Sequence, residues 1–452
     1  MVAPFVASEP RTYVFTRLWG IALVAHVVGN AALADLPSAV GWTNLAVGIT
    51  GIFLVLRPST WVLLLASVLV PVSVLLETPI LGNHWLLAGL SSAAILLGRG
   101  ESARYEPTLR VVLIVFYAFA AFAKFNDGFF DPSVSCAVFY SNQWLAGFGL
   151  PPIDSTSPAA SLAIWASALI EVAVAVSLLV RPLRVFGVVL GTLFHTVISF
   201  DLNQHFYDFT AILLPLFFLF LPAALTAHIS SAWKRLAART RIASGLFSGV
   251  GALLVVAAVS PPIELTRVLL RLVPFAVWIP FSLWWLVLVA RAIARGERLA
   301  WAMGPTAMLL VLFTFLNGLS PYLELKTAFS FNMYSNLLTA NGESNHFVIR
   351  RTWPLREGYQ RPVRVIESSD PALMEYARRD YLIAYPEFRR YLSRRPDISV
   401  TYQRDGSLIT VTPLQGQPVI ADGTEWWRRF APLRSIDAQR PPRCQPVFLP
   451  AL

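Results

Sequence analysis

The sequence predicts an all-α polytopic membrane bundle of about eleven transmembrane helices, followed by a small α+β extracytoplasmic domain at the C-terminus. Three observations lead there. The chain is 56% hydrophobic and only 14% charged, whereas a water-facing fold carries about 25% charged residues. Apolar runs of spanning length recur up to about residue 317. The charges in the gaps between those runs alternate in sign.

The apolar segments run approximately 15–34, 40–56, 60–76, 84–98, 110–126, 159–180, 184–200, 208–224, 244–260, 274–290 and 301–317. Basic residues fill every second gap: Arg57; Arg99, Arg104 and Arg110; Arg181 and Arg184; Lys234 to Arg241; Arg291 to Arg298. Acidic residues mark the others, with Asp35, Glu77, Asp127, Asp131, Asp154, Asp201 and Asp208. The positive-inside rule then places the N-terminus in the cytoplasm and the tail outside. The gap at 261–273, with Glu264, Arg267 and Arg271, is mixed, and a half-spanning segment there would invert the tail. Ala32-Leu33-Ala34 resembles a signal-peptidase site, but the charged flank of Arg11 and Arg17 lies far from the start, so an uncleaved first helix is expected. The formal charge of +10 would suit a nucleic acid only if gathered on one groove-facing element. Here it sits at the ends of apolar runs as membrane anchors do, so the lipid bilayer is the expected partner and nucleic acid is not.

The chain divides into a membrane domain over 1–225, further transmembrane helices over 226–318 and the soluble domain over 319–452. In the tail, Ser369-Asp370-Pro371 supplies an N-cap and a first-position proline for a helix that includes Leu373, Tyr376 and Leu382. Ser399-Val400-Thr401-Tyr402 and Leu408-Ile409-Thr410-Val411 flank Asp405-Gly406, a hairpin signal. The two cysteines, Cys136 and Cys444, belong to no metal-ligand cluster. The topology puts both in one oxidising compartment, where they are either a disulfide tying the tail to the bundle or two separate thiols.

Ionisable groups inside hydrocarbon cost several kcal/mol and tend to mark function. Lys124 ends the run Tyr117-Ala-Phe-Ala-Ala-Phe-Ala, fourteen positions beyond Arg110, which places it about 21 Å into the span. Its stem either snorkels outward or holds a desolvated amine able to shed its proton and act as a base. His84 opens the fourth helix in Gly82-Asn83-His84-Trp85, and His195 lies in Leu193-Phe194-His195-Thr196 at similar depth. A single histidine there is an ordinary interhelical hydrogen-bond partner, but three basic side chains in the same half of one bundle form a candidate site. Glu171, about 15 Å from Arg181, either orients one of them or clasps two helices. Asp201, Asn203, His205 and Asp208 fit no metal-loop spacing and read as a solvated helix end, and no metal is expected. Walker A, GxGxxG, GxSxG and HExxH motifs are absent.

These residues resemble the vitamin K-dependent γ-carboxylases and the bacterial proteins that share their HTTM domain. In that family one helix opens with Asn-His, a later one ends in Ala-Gly-x-Lys-Lys-Leu, and a third carries Phe-His. The matching stretches are Asn83-His84, Ala121-Phe-Ala-Lys124-Phe125-Asn126-Asp127-Gly128, and Phe194-His195, with Glu171 and Arg184 standing where the family has an acidic residue and an arginine. The likeness covers roughly positions 10–225. Asn317-Gly-Leu-Ser-Pro321-Tyr322, Ser330-Phe-Asn-Met333-Tyr334-Ser335-Asn336 and Ser344-Asn345-His346 resemble a segment after the last helix of bacterial members and read as a loop capping the bundle mouth.

The resemblance implies quinol-driven carboxylation. Lys124 would deprotonate a reduced menaquinone or vitamin K hydroquinone, which reacts with O2. The strong base so formed takes a γ-proton from a peptide glutamate, and CO2 adds to the carbanion. His84 would hydrogen-bond the quinone, and His195 would position its ring. This chain has one lysine where the family has two, lacks the glycine before them, and has a much shorter tail, so the acceptor stays open. A transporter or lipid-binding protein, and a scaffold or redox-complex subunit, remain as the other readings.

Overall fold

The computed structural model describes residues 9–29, 38–239, 264–291, 297–356, 358–413 and 426–445. The chain is a multi-pass membrane protein: a helical bundle with eight helices long and apolar enough to cross a bilayer among the described residues. These are α1 (Pro10–Gly29), α2 (Ala39–Leu56), α3 (Thr60–Glu77), α5 (Ser102–Phe122), α8 (Pro158–Leu179), α9 (Arg184–Ile198, lengthened by a 3-10 turn), α12 (Glu264–Ala290) and α13 (Pro305–Leu319). Between them lie α4 (Asn83–Leu97), α6 (Asp127–Phe130), α7 (Cys136–Gly147), α10 (Phe206–Phe218) and α11 (Ala223–Arg239). The apolar helices α4 and α10 are shorter, at 15 and 13 residues. The expected span at 244–260 lies outside the described residues.

Long apolar side chains such as Phe53, Trp61, Leu65, Leu162, Phe186 and Phe313 point outward. On a water-soluble protein so broad an apolar exterior would drive association, whereas in a bilayer it faces a solvent of its own kind. The inner helix is α1, with Phe15, Trp19, Leu23 and their neighbours fully buried. It crosses α2 where Gly20 meets Gly51: a Cβ on Gly20 would lie 2.6 Å from the Gly51 carbonyl oxygen, and one on Gly51 would lie 2.8 Å from that of Gly20. Small residues permit backbone contact that larger side chains would block.

Two local expectations are corrected. The first helix begins five residues earlier than the hydropathy run, and α5 starts at Ser102, so Arg110 is buried within it. There its Nε donates to the Leu219 carbonyl and its guanidinium pairs with Glu106. Lys124 consequently sits in the turn just past the end of α5, beyond the C-cap Ala123.

The tail contains β-sheets, as expected. After a short hairpin of β1 (Thr339–Ala340) and β2 (Glu343–Ser344), strands β3 (Arg364–Ser368), β5 (Val400–Arg404) and β6 (Ser407–Val411) form an antiparallel sheet in the order β3-β5-β6. Asp405 and Gly406 both have positive φ, 49° and 79°, as a tight two-residue hairpin requires. Asp370 caps α14 (Pro371–Arg378) by accepting from the Ala372 and Leu373 amides. That helix stops at Arg378, so Leu382 belongs to strand β4 (Tyr381–Leu382), paired with β7 (Ile436–Asp437). A second helix, α15 (Tyr385–Arg394), closes a small core around Val365, Leu373, Phe388, Val400 and Tyr402.

Candidate functional site

Residues 320–346 fold back onto the bundle rather than away from it. The Asn83 side-chain oxygen accepts from the Phe331 amide at 2.7 Å, and the Phe331 ring meets Phe116 edge-on, 5.0 Å between centroids. His346 Nε2 lies 2.9 Å from the Phe122 carbonyl at the end of α5. Phe329, Phe331, Tyr334 and Asn336 all have positive φ, between 37° and 59°. Left-handed backbone at non-glycine residues is costly and persists only where surrounding contacts enforce it. Here Asn336 donates to the Val134 and Pro442 carbonyls, and its oxygen accepts from the Cys136 amide. The strained segment delivers Met333 and Tyr334 into the wall of a cavity.

That cavity has a volume of about 420 Å³ and lies under the returning loop, between α5, α7, α8 and α9. Its wall is mostly aromatic and aliphatic: Phe116, Tyr140, Trp144, Phe206, Phe209 and Ile198 contribute. The polar groups are few. Lys124 Nζ donates to Glu171 Oε2 at 2.7 Å and reaches the Ala120 carbonyl at 3.4 Å. The Tyr117 hydroxyl lies 2.5 Å from His195 Nε2, and His195 Nδ1 is buried without a hydrogen-bond partner among the described residues. Asp201, held by the Gln143 side chain at 2.9 Å, lines the cavity as well, with Ser141 and Ser167.

Of the residues singled out in the sequence, Lys124, Glu171 and His195 thus converge on one chamber. His84 does not line it. At the start of α4 it turns toward α10, where its Nε2 lies 2.8 Å from Asp208, and the Phe209 ring stands between it and the chamber, 5.8 Å from His84 and 5.0 Å from His195. Asn126 shapes the turn: its oxygen caps the Phe129 amide at 2.9 Å, while its nitrogen donates to the Ala123 and Ser335 carbonyls. Asp127 is exposed at the start of α6. Arg184 lies at the opposite end of the bundle from the returning loop, donating to the Leu178 and Glu297 carbonyls. Cys136 and Cys444 are bonded, with S–S 2.11 Å. This bond pins the last described segment beside the N-terminus of α7, one of the cavity walls.

The acidic helix end is the clearest correction. Asp201 and Asp208 are buried rather than solvated, and Asp208 accepts from two imidazoles, His84 and His26. His26, in the middle of an apolar run on α1, carries the same local signal as His195 and belongs to this cluster. Tyr117 gives none, since an aromatic residue in a membrane helix is ordinary until its hydroxyl meets a partner.

No known protein-family model matches the chain, and neither does any curated protein or solved structure.

Proposed function

We propose that this protein is a membrane enzyme that admits a reduced naphthoquinone to the chamber and oxygenates it with O2, in the manner of the quinol-dependent γ-glutamyl carboxylases it resembles. The observation that carries the reading is the convergence of an amine, a carboxylate and an imidazole on one apolar cavity. Its aromatic walls suit a flat ring, and pockets of this size and character are the usual form of small-molecule sites.

In this reading Lys124 is the base. Glu171 Oε2, 2.7 Å away, is placed to take the Nζ proton, leaving an amine that accepts the proton of a quinol hydroxyl. The Tyr117 and His195 pair, which also lines the chamber, would supply hydrogen bonds to the ring oxygens. Reaction of a bound quinol with O2 would leave one oxygen atom in the quinone epoxide and the other as water, once the strong base formed on the way had taken its proton, and apolar walls would shield that base from bulk solvent. A peptide glutamate presented at the tail side and CO2 are the expected acceptors. The family membership, the eleven-span topology with a cytoplasmic N-terminus, and an exterior tail all belong to the same proposal, resting on the matched motifs and the alternating gap charges.

A second reading, lipid binding without turnover, is favoured by Val197, which lines the cavity while 45% exposed on the bundle's lipid-facing side. One experiment separates the two. Purified protein in detergent is given reduced menaquinone and O2, and the quinone products are resolved by chromatography. Epoxide from wild type and none from a folded Lys124→Ala variant is the expected result. Bound quinone that never turns over selects the second reading.

A further inference from the structure

We infer that His26, His84 and Asp208 form a binding site for one divalent transition-metal ion, behind the chamber and separate from it. The three offer one ligand atom each, and these atoms lie within 4.8 Å of one another. His26 Nδ1 is 3.1 Å and His84 Nε2 is 2.8 Å from the same carboxylate oxygen, Asp208 Oδ2. A tetrahedral ion held at about 2.0–2.2 Å would set such edges near 3.3 Å, so each of these two histidine–carboxylate edges would lengthen by a few tenths of an ångström to admit it. Two imidazoles with a carboxylate suit zinc and its first-row neighbours, not calcium or magnesium.

The surroundings are those of a metal ligand set. His26 is buried, and its ring stacks on Trp85 with 3.4 Å between centroids and 10° between planes, which fixes the direction of Nδ1. Its other nitrogen, Nε2, has no hydrogen-bond partner among the described residues but faces Glu77 Oε1 at 3.7 Å. Glu77 is in turn held by the Ser73 hydroxyl at 2.7 Å and the Asn44 amide at 3.0 Å. A carboxylate behind a ligating histidine is the usual outer partner, setting the tautomer and raising the basicity of the ligand.

Charge points the same way. Asp208 is buried and the Glu77 side chain is 7% exposed, and among the described residues their ion-pair partners are imidazoles alone. A divalent ion neutralises the pair without requiring either histidine to be charged. The three ligands come from α1, α4 and α10, so the ion would tie together three helices distant in sequence. His84, whose side chain is 23% exposed, is the ligand through which an ion enters. Three protein ligands leave one position of a tetrahedral shell to water.

The test measures metal, not turnover, and so stands or falls apart from the quinone reading. Tag-free protein is purified in detergent, stripped with chelator, titrated with Zn2+ and assayed by elemental analysis. One equivalent per chain is expected for wild type and for Lys124→Ala. His84→Gln, at a partly exposed position, and Asp208→Asn should each lose at least tenfold in affinity while keeping the wild-type elution profile. Zinc should also raise the Tm of wild type but not that of His84→Gln. Absence of a stoichiometric ion in folded wild type, or one retained by His84→Gln with unchanged affinity, overturns the proposal.

Discussion

Lys124 Nζ lies 2.7 Å from Glu171 Oε2, joining the turn after α5 to the body of α8 across the wall of the chamber. Both side chains are largely buried, and each is the other's ion-pair partner. Removing one partner of a buried pair leaves an uncompensated charge, at a cost of about 3–5 kcal/mol, whereas replacing both with apolar groups is far milder. Glu171→Leu should therefore lower the Tm in detergent markedly. The Lys124→Met/Glu171→Leu double variant should recover most of that loss, a non-additivity read directly from the thermal scans.

The Cys136–Cys444 bond links positions 308 residues apart and fixes the end of the tail beside α7. Cys444→Ser should destabilise the docked tail by about 2–5 kcal/mol. Limited proteolysis should then cut within 426–445, and the same segment should resist cleavage in unreduced wild type.

At the α1–α2 crossing, Gly20→Leu cannot be accommodated, since even its Cβ would fall 2.6 Å from the Gly51 carbonyl oxygen. Gly20→Ala should cost about 1–3 kcal/mol by overpacking. The larger substitution should abolish monodisperse protein on size exclusion, while Ile49→Leu on the exposed face of α2 should leave it unchanged.

In the tail, burial acts to raise the pKa of Asp370, but the Leu373 and Ala372 amides, the Tyr391 hydroxyl and Arg395 hold it below the usual carboxylate value. A depressed folded-state pKa means that its contribution to stability is complete above the unfolded value, near pH 4, and is lost as pH falls through the folded value. Protection of the α14 amides against hydrogen exchange, each compared with its intrinsic rate at the same pH, should fall below about pH 4 in wild type. In Asp370→Asn the same amides should exchange with a flatter acid limb, the asparagine still capping the helix.

Several features are legible in the chain alone. The two-residue turn at Asp405-Gly406 and the cap at Asp370-Pro371 are local, because positive φ and an unsatisfied first turn are met by residues at fixed spacing. Hydropathy marks the helices for the same reason, each span meeting lipid over its own length. It misplaces their ends where polar groups find internal partners, as Arg110 does with Leu219 and Glu106.

The sequence by itself determined a membrane bundle with a β-containing tail, and it marked Lys124, Glu171 and His195, because an ionisable residue in an apolar run is conspicuous at any position. Tertiary structure alone decided what each one faces. Asp208 meets His26 across 182 residues, and Asn83 meets Phe331 across 248. Contacts at such separation are set by how helices cross and where the tail returns, and the physical reason is that hydropathy is a property of one segment while a cavity belongs to several.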